Sequence, residues 1–215
     1  MTSVRASGLA LMAITALACA AAPGAGSADP QPDAPAASPR GQESLPPAGH
    51  GSLKQDEVTM SVRSGALLLK VTPLSEAVIR MLAPDTYTRL HGLAESRRPE
   101  AIASGIEQPE LFLVSFFSYQ PDVSFLPQDV QLLQQGRLLR PRAVLPITSG
   151  WGQQRLQQQE TQSAIYAFDE PLNYELPITL SYATQQDDGW RNVIPRLQAE
   201  RTKVQSRAGA STDGR

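Results

Sequence analysis

Cys19 is the only cysteine in the chain, so no disulfide can form within it. A protein without cross-links draws its stability from packing alone. Histidine is almost as scarce: His50 and His91 are the only two, far apart in sequence. They offer no metal-ligand spacing, and neither zinc nor any other cofactor is expected. There is no glycine-rich phosphate loop, and no Gly-x-Ser-x-Gly elbow accompanies His91, so a Ser-His-Asp hydrolase lacks its usual sequence frame. The formal net charge is only −2, a balance that argues against nucleic acid as a partner. Long hydrophobic runs are missing as well. The apolar stretch from Gly8 to Ala22 is mostly alanine and falls short of the about 20 residues needed to cross a bilayer.

That same stretch lies behind Arg5 and closes on small residues. It has the charge, length and exit chemistry of a secretory signal. Cys19 directly follows Ala16-Leu17-Ala18, which resembles the lipobox of bacterial lipoproteins, where that thiol is acylated and becomes the mature N-terminus. The resemblance implies a signal peptide over 1–19, a lipid attached at Cys19, and membrane anchoring on the periplasmic or cell-surface side of the envelope. The alternative is cleavage after Ala18 or at Ala20 to Ala22 with no lipid. Both readings export the chain.

Removing Arg5 with the signal takes the formal charge to about −3. Residues 20–56 hold seven of the 18 prolines, with many alanines, glycines and serines, and only Leu45 and Leu53 as large apolar side chains. Such a composition buries too little surface to offset the entropy of ordering, and a flexible tether is expected there. The folded domain is expected over 57–204, followed by a disordered tail over 205–215. From Trp190 onward six basic residues (Arg191, Arg196, Arg201, Lys203, Arg207, Arg215) face only Glu200 and Asp213. This region reads first as a solvated helix and tail, with contact to anionic lipid or to an acidic neighbour as the alternative.

The domain opens with Val58, Met60 and Val62 alternating in a strand, a turn at Ser64-Gly65, and a second strand over 66–71. Thr72-Pro73 then predicts a helix start, with Leu74, Val78, Ile79 and Leu82 at helical spacing. Pro84-Asp85 starts another helix with Tyr87, Leu90 and Leu93 as its stripe, which Arg97-Arg98-Pro99 is expected to close. Two short helices are thus inserted over 73–98. From Leu111 the period becomes two. Residues 111–119, apolar on both faces at their start, predict a central strand. Further strands are expected over 123–125, 130–134, 161–168 and 176–183. An edge strand over 137–147 is interrupted by Pro141 and Pro146. A C-terminal helix over 190–204 presents Trp190, Val193, Ile194, Leu197 and Val204, with Pro195 tolerated near its start. Short strands separated by frequent turns predict an antiparallel β-sandwich.

Residues 111–183, with their strong first strand, Val123-Ser-Phe125, Val130-Gln-Leu-Leu133, Gly136-Arg137, the glutamine-rich rise over 157–160 and Thr179-Leu-Ser-Tyr182, resemble the immunoglobulin-like domains of unknown function found in small exported bacterial lipoproteins. The resemblance implies a fold and an address, and it carries no catalytic residue across. The inserted helices and the C-terminal helix fall outside it.

Candidate chemistry is sparse. Asp169-Glu170 and Asp187-Asp188 offer paired carboxylates for calcium or acid-base work, yet both pairs sit at turn signals, where acidic residues cap or solvate the chain. Trp151, between two glycines, is either an exposed contact or a plug over the sandwich end. Arg140 and Arg142 share one face of the proline-broken strand; they suit an anion acceptor or edge charges that oppose aggregation. Two functions follow. One is a non-enzymatic, surface-tethered envelope module that binds a protein or wall component; the other is an envelope hydrolase or accessory enzyme with a carboxylate site.

Overall fold

The computed structural model describes residues 45–212, with side chains described to residue 210. The signal, Cys19 and the tether up to residue 44 lie outside the described residues, as do Asp213 and Arg215.

Eleven strands and three α-helices follow one another: β1 (Met60–Ser64), β2 (Leu67–Pro73), α1 (Glu76–Ile79), α2 (Pro84–Ala103), β3 (Glu110–Ser118), β4 (Val123–Ser124), β5 (Val130–Gln134), β6 (Arg137–Leu139), β7 (Ala143–Pro146), β8 (Arg155–Leu156), β9 (Thr161–Phe168), β10 (Thr179–Tyr182), β11 (Gln185–Asp187) and α3 (Trp190–Thr212). One sheet runs β1-β2-β3-β9-β7, a second runs β11-β10-β5-β6, and β4 pairs with β8 in a small ribbon. All these pairings are antiparallel. The chain is therefore mainly β with a C-terminal helix, as its hydrophobic periodicity predicts, in an arrangement consistent with a sandwich.

Alternation explains how the sheets meet. Val71 pairs with Val114, and Leu69 with Phe116; Val114 pairs in turn with Ala164, and Phe112 with Tyr166. These side chains line one face. Facing them, Leu132 pairs with Leu180, and Val130 with Tyr182. The Phe116 ring meets Tyr182 at 5.6 Å, and the Tyr166 hydroxyl donates to the Pro127 carbonyl at 2.9 Å across the core. The two tryptophans close the ends: Trp151 packs on Phe116, Phe125 and Tyr166, while Trp190 meets Tyr174, which tilts against Phe112.

Two of the three two-residue hairpin turns follow their residues, whereas the one between β10 and β11 places Ala183 at φ +52°. Gly65 opens a two-residue loop at φ +61°, where only glycine is unstrained. Gln135 and Gly136, at φ +52° and +77°, provide the two left-handed positions that the right-handed twist of β5 and β6 requires.

Five expectations are corrected. Residues 45–56, expected to belong to the flexible tether, are packed on the body. The sequence lacks apolar bulk there, but the backbone itself is held: Leu53 N–H donates to Met81 O at 3.1 Å and Ala83 N–H to Leu53 O at 2.9 Å. Pro73 does not start a helix; it ends β2 opposite Phe112. Pro99 does not end α2, which continues to Ala103 and is therefore not short. Like Pro195 in α3 it stands exposed, where water can take the carbonyl that the ring leaves free. The single edge strand over 137–147 is two strands in two sheets, because the chain crosses between them at Arg140-Pro141-Arg142. Residues 205–212, expected as disordered tail, continue α3.

The helices then find their seats. Leu111, Leu145, Ile165 and Ala167 are buried on the outer face of the first sheet, where α2 runs against β7 with Leu90, Ala94 and Ala101 turned inward.

Candidate functional site

A cleft of about 660 Å³ opens between the last turns of α2, the connection into β3 and the exit of β9. Arg98 and Ile102, one helical turn apart, form one wall; Asp169 and Pro171 form the other, with Glu107 and Glu110 between them. Glu110 pairs with Phe168, and the cleft lies where β3 begins and β9 ends, so that Glu110 and Asp169 both line it.

Glu110 is the chemically distinctive member. Burial pushes its carboxyl above the ordinary range, and a hydrogen bond from Tyr174 and the charge of Arg98 only partly offset this. Tyr174 is itself raised well above the usual phenol range by burial and by the Glu110 charge. Its carbonyl accepts from the Trp190 indole at 3.1 Å, and its ring packs edge-on against that indole. Arg98 is tied back by Glu95 at 3.2 Å and by the Pro109 carbonyl at 3.3 Å. The cleft can accept hydrogen bonds, hold positive charge and lend a proton at Glu110. Its lining has no Ser, Thr, Cys or Lys, so its carboxylates are the groups that could attack a substrate.

The residues singled out in the sequence do not converge there as a set. Asp169 reaches the cleft, whereas Glu170 turns away to pair with Arg137. Asp187 Oδ1 accepts from Gly189 N–H at 2.8 Å, and its Oδ2 accepts from Ser61 N–H at 2.9 Å. It therefore caps a turn and pins the β1 edge. Asp188 lies 3.9 Å from Arg191. Trp151 is buried, and is the plug rather than the exposed contact. Arg140 and Arg142 flank the crossing between sheets. Arg140 lines a shallow groove of about 400 Å³ beside Asp129 and Gln131, and the Arg142 N–H donates to Ala167 O at 2.8 Å.

His91 donates from Nδ1 to Glu76 Oε1 at 2.7 Å and stacks on Tyr87 at 5.3 Å. Arg80 holds the other Glu76 oxygen and donates to the Pro46 carbonyl at 3.0 Å. Burial would raise the Glu76 carboxyl, but the hydrogen bonds from Arg80 and His91 bring it below the ordinary range.

A second polar cluster escaped the sequence reading. Glu200 lies in the apolar stripe of α3, 1 % exposed. Its Oε1 accepts from the Ser52 N–H at 2.9 Å, the Ser52 hydroxyl at 2.7 Å and Arg207 Nη1 at 2.8 Å. Arg207 also donates to the His50 carbonyl at 2.7 Å. Burial opposes the Glu200 charge, yet these donors win and hold its pKa below the usual carboxylate value. The signal was available: Trp190, Val193, Leu197, Glu200 and Val204 share one helical face, so a carboxylate there needs partners.

Among the described residues, no group of three or more His, Cys, Asp or Glu stands ready to hold a metal ion. No described helix is long and apolar enough to cross a membrane. Comparison with protein-family models, with curated proteins and with solved structures finds no match to this chain.

Proposed function

We propose that the chain is an exported protein of the bacterial cell envelope, held to a membrane by acylation at Cys19. In this reading its body is a non-enzymatic, immunoglobulin-like interaction module that meets a protein or cell-wall component. The observation that carries the reading is the employment of the polar side chains. His91, Glu76, Glu170, Asp187 and Glu200 are each committed to contacts that hold the body together, which suits a presenting scaffold. The immunoglobulin-like assignment is supported by two antiparallel sheets meeting across an aromatic core. With residues 45–56 packed on the body, a flexible tether over 20–44 reaches about 25 to 30 Å by the scaling of disordered chains.

One observation favours a second reading. The raised Glu110 carboxyl, in a cleft that Asp169 also lines, suits an envelope hydrolase with a carboxylate-based site. Loss of a wall-degrading activity in Glu110→Gln at unchanged folding would establish that reading in place of the module.

Radiolabelled palmitate, fed to cells making the native chain and Cys19→Ala, tests the anchor. Label in the native protein and none in the variant is expected; equal label in both refutes acylation at Cys19. Crosslinking in intact cells then identifies what the body touches.

A further inference from the structure

We propose that the open half of the first sheet's outer face docks an acid-bearing glycan strand of the cell wall; this rests on the envelope-module reading above and names its partner. α2 covers the end of that face bearing Leu111, Ile165 and Ala167. Toward the β1–β2 turn the same face reaches solvent. Strand register there sets Arg63, Leu68, Phe117 and Thr161 in one row across β1, β2, β3 and β9. Tyr119, 41 % exposed, prolongs β3 through its N–H bond to Ala66 O at 3.0 Å, and its ring stands edge-on to Phe117 at 4.8 Å. In the next row Ser115 and Ser163 share a hydrogen bond of 2.8 Å.

The side chains of this surface select the ligand. A sugar ring presents C–H groups on its faces and hydroxyls around its rim, so it needs flat apolar contact at the centre and groups that both donate and accept at the border. Leu68, Phe117 and Tyr119 supply the first. Thr161 and the exposed amides of Gln157, Gln158 and Gln159 supply the second. The Gln159 N–H donates to Ser118 O at 2.9 Å and the Ser118 N–H to Glu160 O at 3.1 Å, which holds this glutamine loop beside Tyr119. Hydroxyls and amides carry no charge to desolvate, so meeting a neutral hydroxyl costs them little. An apolar patch with a polar rim is the usual form of an interaction site.

Charge decides which glycan. The acids of the flanking segments are already engaged: Asp56 holds Lys70 at 3.0 Å, Arg155 grips both oxygens of Asp122 at 2.7 and 2.6 Å, and Glu160 accepts from the Gln157 N–H at 2.7 Å and from Gln162 at 2.8 Å. Arg63 has no carboxylate partner among the described residues. Its Nη2 donates to the Tyr119 hydroxyl at 2.9 Å, and its guanidinium carbon lies 4.5 Å from the centre of that ring. A positive charge is thereby fixed at the border of the apolar strip, complementary to a carboxylate or phosphate carried on the glycan. An apolar protein face laid on the strip would instead have to bury that charge unpaired.

The test uses the full chain carrying Cys19→Ser, so that no acyl chain contributes, and protein-free peptidoglycan sacculi as the probe. Retention on sedimented sacculi is expected, weaker in high salt. Adding Tyr119→Ala should lower the affinity by about tenfold, R63E by at least as much, Q158A with Q159A by less, and R140E not at all. The uncharged hexamer of N-acetylglucosamine should compete less well than acid-bearing fragments cut from the sacculi. Circular dichroism melting confirms that each variant is folded. No retention, or retention untouched by Tyr119→Ala and R63E, overturns the proposal. So does a crosslink from this face to an envelope protein without retention on sacculi, a result that leaves the module reading standing. Solubilisation of the sacculi, abolished in Glu110→Gln, would instead remove the module reading itself.

Discussion

Gly51 shows how a segment poor in apolar side chains can still be held. A Cβ at this position would stand 2.3 Å from the Met81 carbonyl carbon and oxygen and 2.5 Å from the Leu82 oxygen, closer than real contacts allow. The absence of a side chain lets Ser52 and Leu53 approach both α3 and the Met81-Leu82 backbone. Gly51→Ala should therefore cost about 1 to 3 kcal/mol, the usual range for overpacking. It should also open residues 45–56 to protease. Urea denaturation and limited proteolysis check this, and a variant as stable and as resistant as the native chain contradicts it. The sequence showed glycine and proline in this stretch and pointed to flexibility; the closeness of a distant backbone left no local mark.

Trp151 lies in a five-residue 3₁₀ turn, Ser149–Gln153, that carries its ring into the sandwich end. Because it touches Phe116, Phe125 and Tyr166, Trp151→Ala should cost about 3 to 5 kcal/mol. A loss under about half a kcal/mol in equilibrium denaturation would be the signature of an exposed residue and would refute the plug. Elements with a strong internal period were legible: β3 and β9, the first hairpin, and α3 all follow their alternation or helical stripe. The two-residue strand β8 has no period to read, whereas β4 was anticipated as a short strand over 123–125. The break between β6 and β7 depended on which sheet each half would join, a choice made by pairing with β5 and β9 rather than by Arg140-Pro141-Arg142. The candidate site was legible only in part. Asp169 was visible as one carboxylate of a turn, while Glu110 joined the same cleft only through the fold, and Glu200 gained its partners from a segment 148 residues away.

Opposed carboxyl shifts give the whole molecule a pH signature. Glu76 and Glu200 are held below their unfolded value near 4.5. Each therefore stabilises the fold above that value, and the benefit is lost as pH falls through the folded pKa. Glu110 is raised, so its contribution is present below about 4.5 and is lost as pH climbs through its folded pKa. Denaturation midpoints measured against pH should show a shallower acid limb in Glu200→Gln, with lower stability at neutrality. Glu110→Gln should instead lose the decline that begins above the ordinary carboxylate range. Parallel curves for all three proteins would contradict these assignments. The borders of the two sheets have a further consequence. Asp187 occupies the backbone donor of Ser61 on β1, β11 runs beside that strand, and on the far side one stretch of chain belongs to both layers. Little of either rim is left to template a neighbour's strand, so many copies can be crowded onto one surface without zipping into fibres.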